Sequence, residues 1–356
     1  MRQHEPSRSM SHHTKDPQRK IKVHVKNNHA SPETFPSTPE SEAVFTTTPE
    51  RWAEAARRHP DVAQHVDVFI DWDCDNFTRS MRDTEVLYAW DFPTRDLAKI
   101  APNLKWIHVI GAGVEHLCPM DWVPEGVQVV NNKGAHAAKA GEFGLMSILM
   151  LHSHMPAIVT NQRDGNWQSL FSTPIAGKTA LVVGVGSLGG GAATQLKRFG
   201  LDVLGVNRSG RPHPDIDEMV TTDRIDDLLP RADYVFVSLP STPQTVGLFD
   251  RRRLEGMKPG AGIVNVGRSS AMNYEALSDL LRTGHLSGAI IDVFDPEPLP
   301  LDSPLWHVPN LIVTPHVSAD DGDNYVPITL DILFNNLRRH IRGEPLQNVV
   351  RPELGY

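Results

Sequence analysis

Cysteine is scarce: Cys74 and Cys118 are the only two among 356 residues. Two cysteines cannot staple a disulfide framework, and no CxxC or His/Cys group stands at zinc spacing. No metal site is therefore expected, and a reducing, cytoplasmic setting is. Long apolar runs are missing too. The longest covers 143–151, counting Gly144 and Ser147, and falls far short of the roughly 20 residues that cross a bilayer. Basic charge is not in excess, since Lys+Arg 35 against Asp+Glu 43 leaves a net charge of -8. That is the wrong sign for a chain held to nucleic acid or anionic lipid by bulk electrostatics, so neither is expected as a partner. Between Met1 and Met10 no large apolar residue starts a signal-peptide core. Residues 1–20 read as a disordered tail, with His12 and His13 solvated and Met10 an alternative start.

What is present is an ordinary globular mix, 40% hydrophobic and 22% charged, which excludes a wholly disordered chain. At about 150 residues per domain the length suggests two domains. From residue 21 onward, short β-branched runs at 21–25, 66–70, 86–90 and 106–110 alternate with helical stretches at 49–58, 76–83 and 95–100. Such alternation predicts a parallel sheet with helices on both faces. The insertion at 27–48, with Pro32, Pro36 and Pro39, is expected to be a surface loop. A proline-free helix is predicted at 137–151, apolar on more than one face and so buried between domains or subunits, or simply in a core. Six further strands, at 180–185, 203–207, 234–239, 262–266, 289–294 and 311–314, match a doubly wound dinucleotide-binding sheet. The amphipathic stretch 326–341 is expected to fold back on the first unit.

The second series opens on Gly184-Val185-Gly186-Ser187-Leu188-Gly189, a GxGxxG between a strand and a helix. Gly184 permits the tight turn, Gly186 lets backbone approach a pyrophosphate, and Gly189 lets helix pack on strand. Ser187 and Leu188 then open the helix, whose free N–H groups favour an anion. At the end of the next strand no carboxylate waits for a ribose 2′-hydroxyl; Asn207, Arg208, Ser209 and Arg211 stand there instead. Two arginines and a serine can clasp a 2′-phosphate, so NADPH is favoured over NADH.

Three later segments end strands with polar residues: Val266-Gly267-Arg268, Asp292 through Glu297, and Thr314-Pro315-His316. An arginine, a carboxylate and a histidine suit reduction of a 2-keto acid, which needs an anion clamp and a proton donor of tuned pKa. These motifs, with Gly111-Ala112-Gly113-Val114 and Leu239-Pro240 followed by Thr245, resemble the D-isomer-specific 2-hydroxyacid dehydrogenase family, especially its glyoxylate/hydroxypyruvate reductase branch. The resemblance runs from about residue 21 to 356.

The resemblance implies two doubly wound α/β domains, a flavodoxin-like substrate domain and a Rossmann nucleotide domain, with the active site in the cleft. The substrate domain would be 21–130 plus 318–356, and the nucleotide domain 131–317. Arg268 would bind the substrate carboxylate, with the backbone amides of Ala112 and Gly113 completing the pocket. His316 would donate the proton, and Glu297 would orient it and raise its pKa. Asp292 would contact the nicotinamide carboxamide, Leu239, Pro240 and Thr245 would lie along the adenosine, and Val266 and Gly267 would line the cofactor beside Arg268. Trp306 and Trp90 would bear on substrate size, and a homodimer is implied. Glu115 stands where many relatives have Asp, and residues 318–321 form an acidic loop beside an anion site. Two other readings exist. A formate-type dehydrogenase has a Gln-His pair, against which Glu297 argues; a dinucleotide-sensing corepressor keeps the same triad, but the 207–211 segment suits NADP.

Overall fold

A computed structural model describes residues 19–31 and 35–351. The expected tail lies outside the described residues apart from its last two positions, and Met10, His12 and His13 lie outside with it. Among the described residues, twelve strands form two wholly parallel sheets. β1 (Ile21–Asn27), β2 (Val66–Trp72), β3 (Val86–Ala89), β4 (Trp106–Val109) and β5 (Gln128–Val130) make the first, in the order β2-β1-β3-β4-β5. That is the flavodoxin-like order. β6 (Thr179–Val183), β7 (Asp202–Asn207), β8 (Glu218–Thr221), β9 (Tyr234–Val237), β10 (Gly262–Asn265), β11 (Gly288–Ile291) and β12 (Leu311–Val313) make the second, in the order β12-β11-β10-β9-β6-β7-β8. Counted within the unit this is the Rossmann order with one strand added beyond the sixth. Every residue of β3, β4, β9, β10 and β11 is buried, as expected where helices cover both faces of a parallel sheet.

Three features differ from the sequence reading. β5 and β8 appear in neither predicted series; each is a short edge strand, of three and four residues, and too brief to show a period. The segment 27–48 is not wholly loop, because its prolines include a helix start: Pro39–Phe45 is helical, with Pro39 in the first turn and Thr38 capping it. Thr38 Oγ1 accepts from the Ser41 N–H at 3.2 Å and Ser41 Oγ from the Thr38 N–H at 3.0 Å, so two otherwise orphaned donors are satisfied. The stretches predicted helical at 76–83 and 95–100 shrink to single turns, Phe77–Ser80 and Leu97–Ile100.

The helix Tyr325–Arg342 returns to the first sheet. Val326, Leu330, Leu333, Phe334 and Leu337 share a core with Val23 and Val25 of β1 and with Trp52. The helix Ala137–His152 lies against the second sheet and the helix Ser187–Arg198. Glycine sets that approach: a Cβ on Gly191 would stand 2.2 Å from the Ala137 carbonyl oxygen, and one on Gly141 would stand 2.8 Å from that of Gly191. The opposite face keeps Met146 43% exposed, so this helix is a core element with an apolar outer edge.

Gly191→Ala should force these two helices apart and cost about 1–3 kcal/mol. Thermal unfolding followed by circular dichroism should show a lower Tm; an unchanged Tm would mean that the helices separate freely.

Candidate active site

β10 ends at Asn265, whose buried amide builds the turn that presents Arg268. Asn265 Oδ1 accepts from the Gly267 N–H at 3.1 Å, and its Nδ2 donates to the Arg268 carbonyl at 3.2 Å and to Tyr274 Oη at 3.1 Å. Gly267 has no room for a side chain, since a Cβ would lie 2.5 Å from the backbone N and O of Leu239. Arg268 reaches out of the second unit toward the first. Its Nε and Nη2 donate to Glu115 at 2.9 and 3.3 Å, and its Nη1 to the Gly267 carbonyl at 2.9 Å. A Cβ on Gly113 would stand 2.0 Å from Arg268 Nη2, so the 111–113 loop lies directly on the guanidinium. Burial opposes ionisation of Glu115, but Arg268 outweighs it and holds the carboxyl below its usual range.

After β12 the chain places His316 at a φ of 53°, a left-handed conformation that costs a non-glycine residue about 1–3 kcal/mol. Asp292, at the end of β11, holds the loop in place. Its carboxylate has no exposed surface and accepts from Thr314 Oγ1 at 2.6 Å and from the N–H groups of Val317 and Ser318, both at 3.0 Å. His316 Nδ1 lies 2.7 Å from Glu297 Oε2, and Glu297 Oε1 accepts from the Phe294 N–H at 2.7 Å. A carboxylate can only accept, so Nδ1 carries the hydrogen and Nε2 is left facing outward. Desolvation works against the imidazolium, yet the Glu297 bond and charge exceed it and raise the His316 pKa above 6.5. In turn Glu297, whose burial pushes its carboxyl up, is drawn below its usual value by His316.

A second histidine stands behind this pair. His136 Nδ1 lies 3.1 Å from the Ala319 carbonyl and 3.6 Å from Asp320 Oδ1. Burial lowers the His136 pKa and raises that of Asp320.

In the glycine turn, the geometry demands glycine at two of the three positions and leaves open space at the third. Gly184 has a φ of +97°, a Cβ on Gly189 would stand 2.3 Å from the Gly184 carbonyl, and a Cβ on Gly186 would meet nothing within 4 Å. Gly186 begins the Ser187–Arg198 helix without a side-chain cap, and no acceptor among the described residues takes the N–H groups of Ser187 and Leu188. An Asx-type turn orders the next loop: Asn207 Oδ1 accepts from the Ser209 N–H at 3.0 Å, and its Nδ2 donates to the Arg211 carbonyl at 2.9 Å. Arg208, Ser209 and Arg211 are exposed. Thr245 Oγ1 donates to the Pro240 carbonyl at 2.6 Å and fixes the turn after Leu239, and Val266 is buried. This cradle and its basic rim fit a dinucleotide. No group of three or more His, Cys, Asp or Glu residues that could hold a metal exists among the described residues.

The structure thus brings Gly113, Arg268, Glu115, Glu297 and His316 together between the carboxyl ends of the two sheets. Asp292 has zero exposure, and its carboxylate accepts hydrogen bonds from the His316 loop. Trp306 donates to the Pro300 carbonyl at 2.8 Å and its own carbonyl accepts from Arg163, whereas Trp90 lies on the 111–113 loop, its Cζ3 2.2 Å from where a Gly111 Cβ would be. Trp90 also stacks on His116 at 3.9 Å. Sequence reasoning gave no role to Asn265, Tyr274 or His136. The Asn265 signal was its place in the strand end; nothing local marks the other two.

A family profile for "D-isomer specific 2-hydroxyacid dehydrogenase, NAD binding domain" matches residues 145–318. The D-3-phosphoglycerate dehydrogenase of Mycobacterium tuberculosis is 33% identical over 252 residues, 70% of this chain; the chain spans about half of that relative, 47% of its length. The glyoxylate reductase of Thermofilum pendens is 31% identical over 251 residues, 68% of this chain and 74% of that enzyme. Among solved structures, a D-isomer specific 2-hydroxyacid dehydrogenase from Xanthobacter autotrophicus Py2, in complex with NADPH and MES, superposes with a TM-score of 0.78 at 28% identity, covering 95% of this chain and all of that one. The chain belongs to the D-isomer specific 2-hydroxyacid dehydrogenase family.

Proposed function

We propose that the protein is an NAD(P)-dependent oxidoreductase that interconverts a small 2-keto acid and its D-2-hydroxy acid, and that it acts as a glyoxylate/hydroxypyruvate reductase with NADPH as reductant. The observation that carries this reading is His316 bound to Glu297 at 2.7 Å, in the same cleft as an arginine lying on a glycine loop. Of the five N–H groups of Arg268, three donate to Glu115 and Gly267. One on each Nη remains for a substrate carboxylate, beside the amides of Ala112 and Gly113. His316 then donates its Nε2 proton to the carbonyl oxygen, and Glu297 stabilises the charged form of the ring beforehand.

The nicotinamide cofactor supplies the hydride when bound. Gly184, Gly186, Ser187, Leu188 and Gly189 would hold its pyrophosphate, and Leu239, Pro240 and Thr245 its adenosine side. Arg208, Ser209 and Arg211 would take a 2′-phosphate, a reading supported by the NADPH-bound relative. Support for a small acid comes from the Trp90 indole laid over Gly111 and from the glyoxylate reductase relative. The apolar groove of Leu145, Met146, Leu149, Met150 and Met155 supports a homodimer through the nucleotide unit.

Steady-state oxidation of NADPH and NADH should be compared with glyoxylate, hydroxypyruvate, pyruvate, phenylpyruvate and 3-phosphohydroxypyruvate. NADPH with glyoxylate or hydroxypyruvate should give the highest kcat/KM; a preference for the phosphorylated acid, or for NADH, would overturn the finer assignment. His316→Ala should lower kcat by about 10²–10⁴-fold, and Arg268→Ala should raise KM for every acid; wild-type kinetics in either would remove its role. Reduction needs protonated His316, so its rate falls as pH rises through the raised pKa. In Glu297→Gln that limb of the kcat/KM profile should move to lower pH; an unmoved limb would show that another group tunes the histidine.

A further inference from the structure

Three successive carbonyls around the anion loop are each taken by a donor from outside it. Tyr325 Oη donates to the Ile110 carbonyl at 2.7 Å, the Asn132 N–H to that of Gly111 at 2.9 Å, and Asn131 Nδ2 to that of Ala112 at 2.8 Å. In a trans peptide the carbonyl and the following N–H point in opposite directions. Fixing these oxygens therefore turns the N–H groups of Gly111, Ala112 and Gly113 away from the donors. None of the three N–H groups has an acceptor among the described residues, and Gly113 lies against Arg268.

The donors come from the two places where the chain passes between the sheets. Asn131 and Asn132 follow β5, where the chain leaves the first sheet, and Tyr325 opens the helix that returns to it. They are themselves held. Asn132 Nδ2 donates to Thr329 Oγ1 at 2.8 Å, Thr329 Oγ1 donates to the Tyr325 carbonyl at 2.7 Å, and Asn131 Oδ1 accepts from the Lys133 N–H at 3.2 Å. Asn131, Asn132, Tyr325 and Thr329 are all buried, so water cannot replace a donor deleted from them. Burial also pushes the Tyr325 phenol up, which keeps it a donor.

We propose that Tyr325 and Asn131 are positioning residues that aim the amides of residues 111–113 at the substrate carboxylate. The inference rests on the function proposed above, which makes this loop the carboxylate site. It assigns the two residues to substrate binding and not to proton transfer, because neither touches His316 or Glu297.

The test uses Tyr325→Phe, which removes only the hydroxyl, and Asn131→Asp, which keeps the shape of asparagine and cannot donate. In each, KM for glyoxylate should rise about tenfold with kcat within about twofold, and the pH limb set by His316 should not move. Oxalate, an unreactive dianion, titrated calorimetrically into the NADPH-loaded protein should bind more weakly by the same factor. NADPH binding reports that each variant is folded, and if Asn131→Asp does not fold, Tyr325→Phe alone decides. Unchanged KM and oxalate affinity overturn the inference, as does a fall in kcat at constant KM or a wild-type protein that does not bind oxalate. Oxalate binding that weakens in the variants, in a protein that reduces no keto acid, would remove the reductase reading and sustain the positioning role.

Discussion

One carboxylate with no exposed surface, that of Asp292, carries the arrangement of this site. It receives hydrogen bonds from Thr314, Val317 and Ser318, the residues on either side of His316. An unpaired buried carboxylate would be prohibitively costly, so the loop must close around it, and His316 is left in a left-handed conformation that local preferences would reject. The backbone strain at His316 is met by the bonds at its neighbours. From that fixed ring the Glu297 bond follows, and with it the raised histidine pKa.

Arg268 and His316 each have a carboxylate partner before any ligand arrives: Arg268 pairs with Glu115 and His316 with Glu297. The arginine is oriented by its carboxylate without being saturated by it. Small residues make this density possible. Gly113 admits the guanidinium, Gly267 admits the Leu239 backbone, and Gly189 admits the Gly184 carbonyl. The same logic joins the helices Ala137–His152 and Ser187–Arg198 through Gly141 and Gly191.

Much of the fold was legible because a parallel sheet covered on both faces leaves continuous β-branched runs that periodicity detects. The edge strands β5 and β8 escaped, being three and four residues long and paired on one side only. The helix Pro39–Phe45 escaped because proline was read as a breaker, although at a first turn it lacks only an N–H that would be unbonded anyway. In the site, the GxGxxG was legible as a tight turn between strand and helix, since its pattern lies within six consecutive residues. Asn265 was visible as a strand end but not as the residue that shapes the Arg268 turn.

The sequence by itself determined the two parallel-sheet units and the dinucleotide cradle, because each is encoded by local period or short spacing, while Arg268, Glu297 and His316 were singled out by resemblance to a family. Only the tertiary structure decided which of them meet. Glu115 and Arg268 are 153 residues apart and form an ion pair; Tyr325 reaches the Ile110 carbonyl across 215 residues; the Trp90 ring lies against Gly111. Such contacts depend on how the two sheets and the returning helix pack, a property of the whole folded chain that no local window contains.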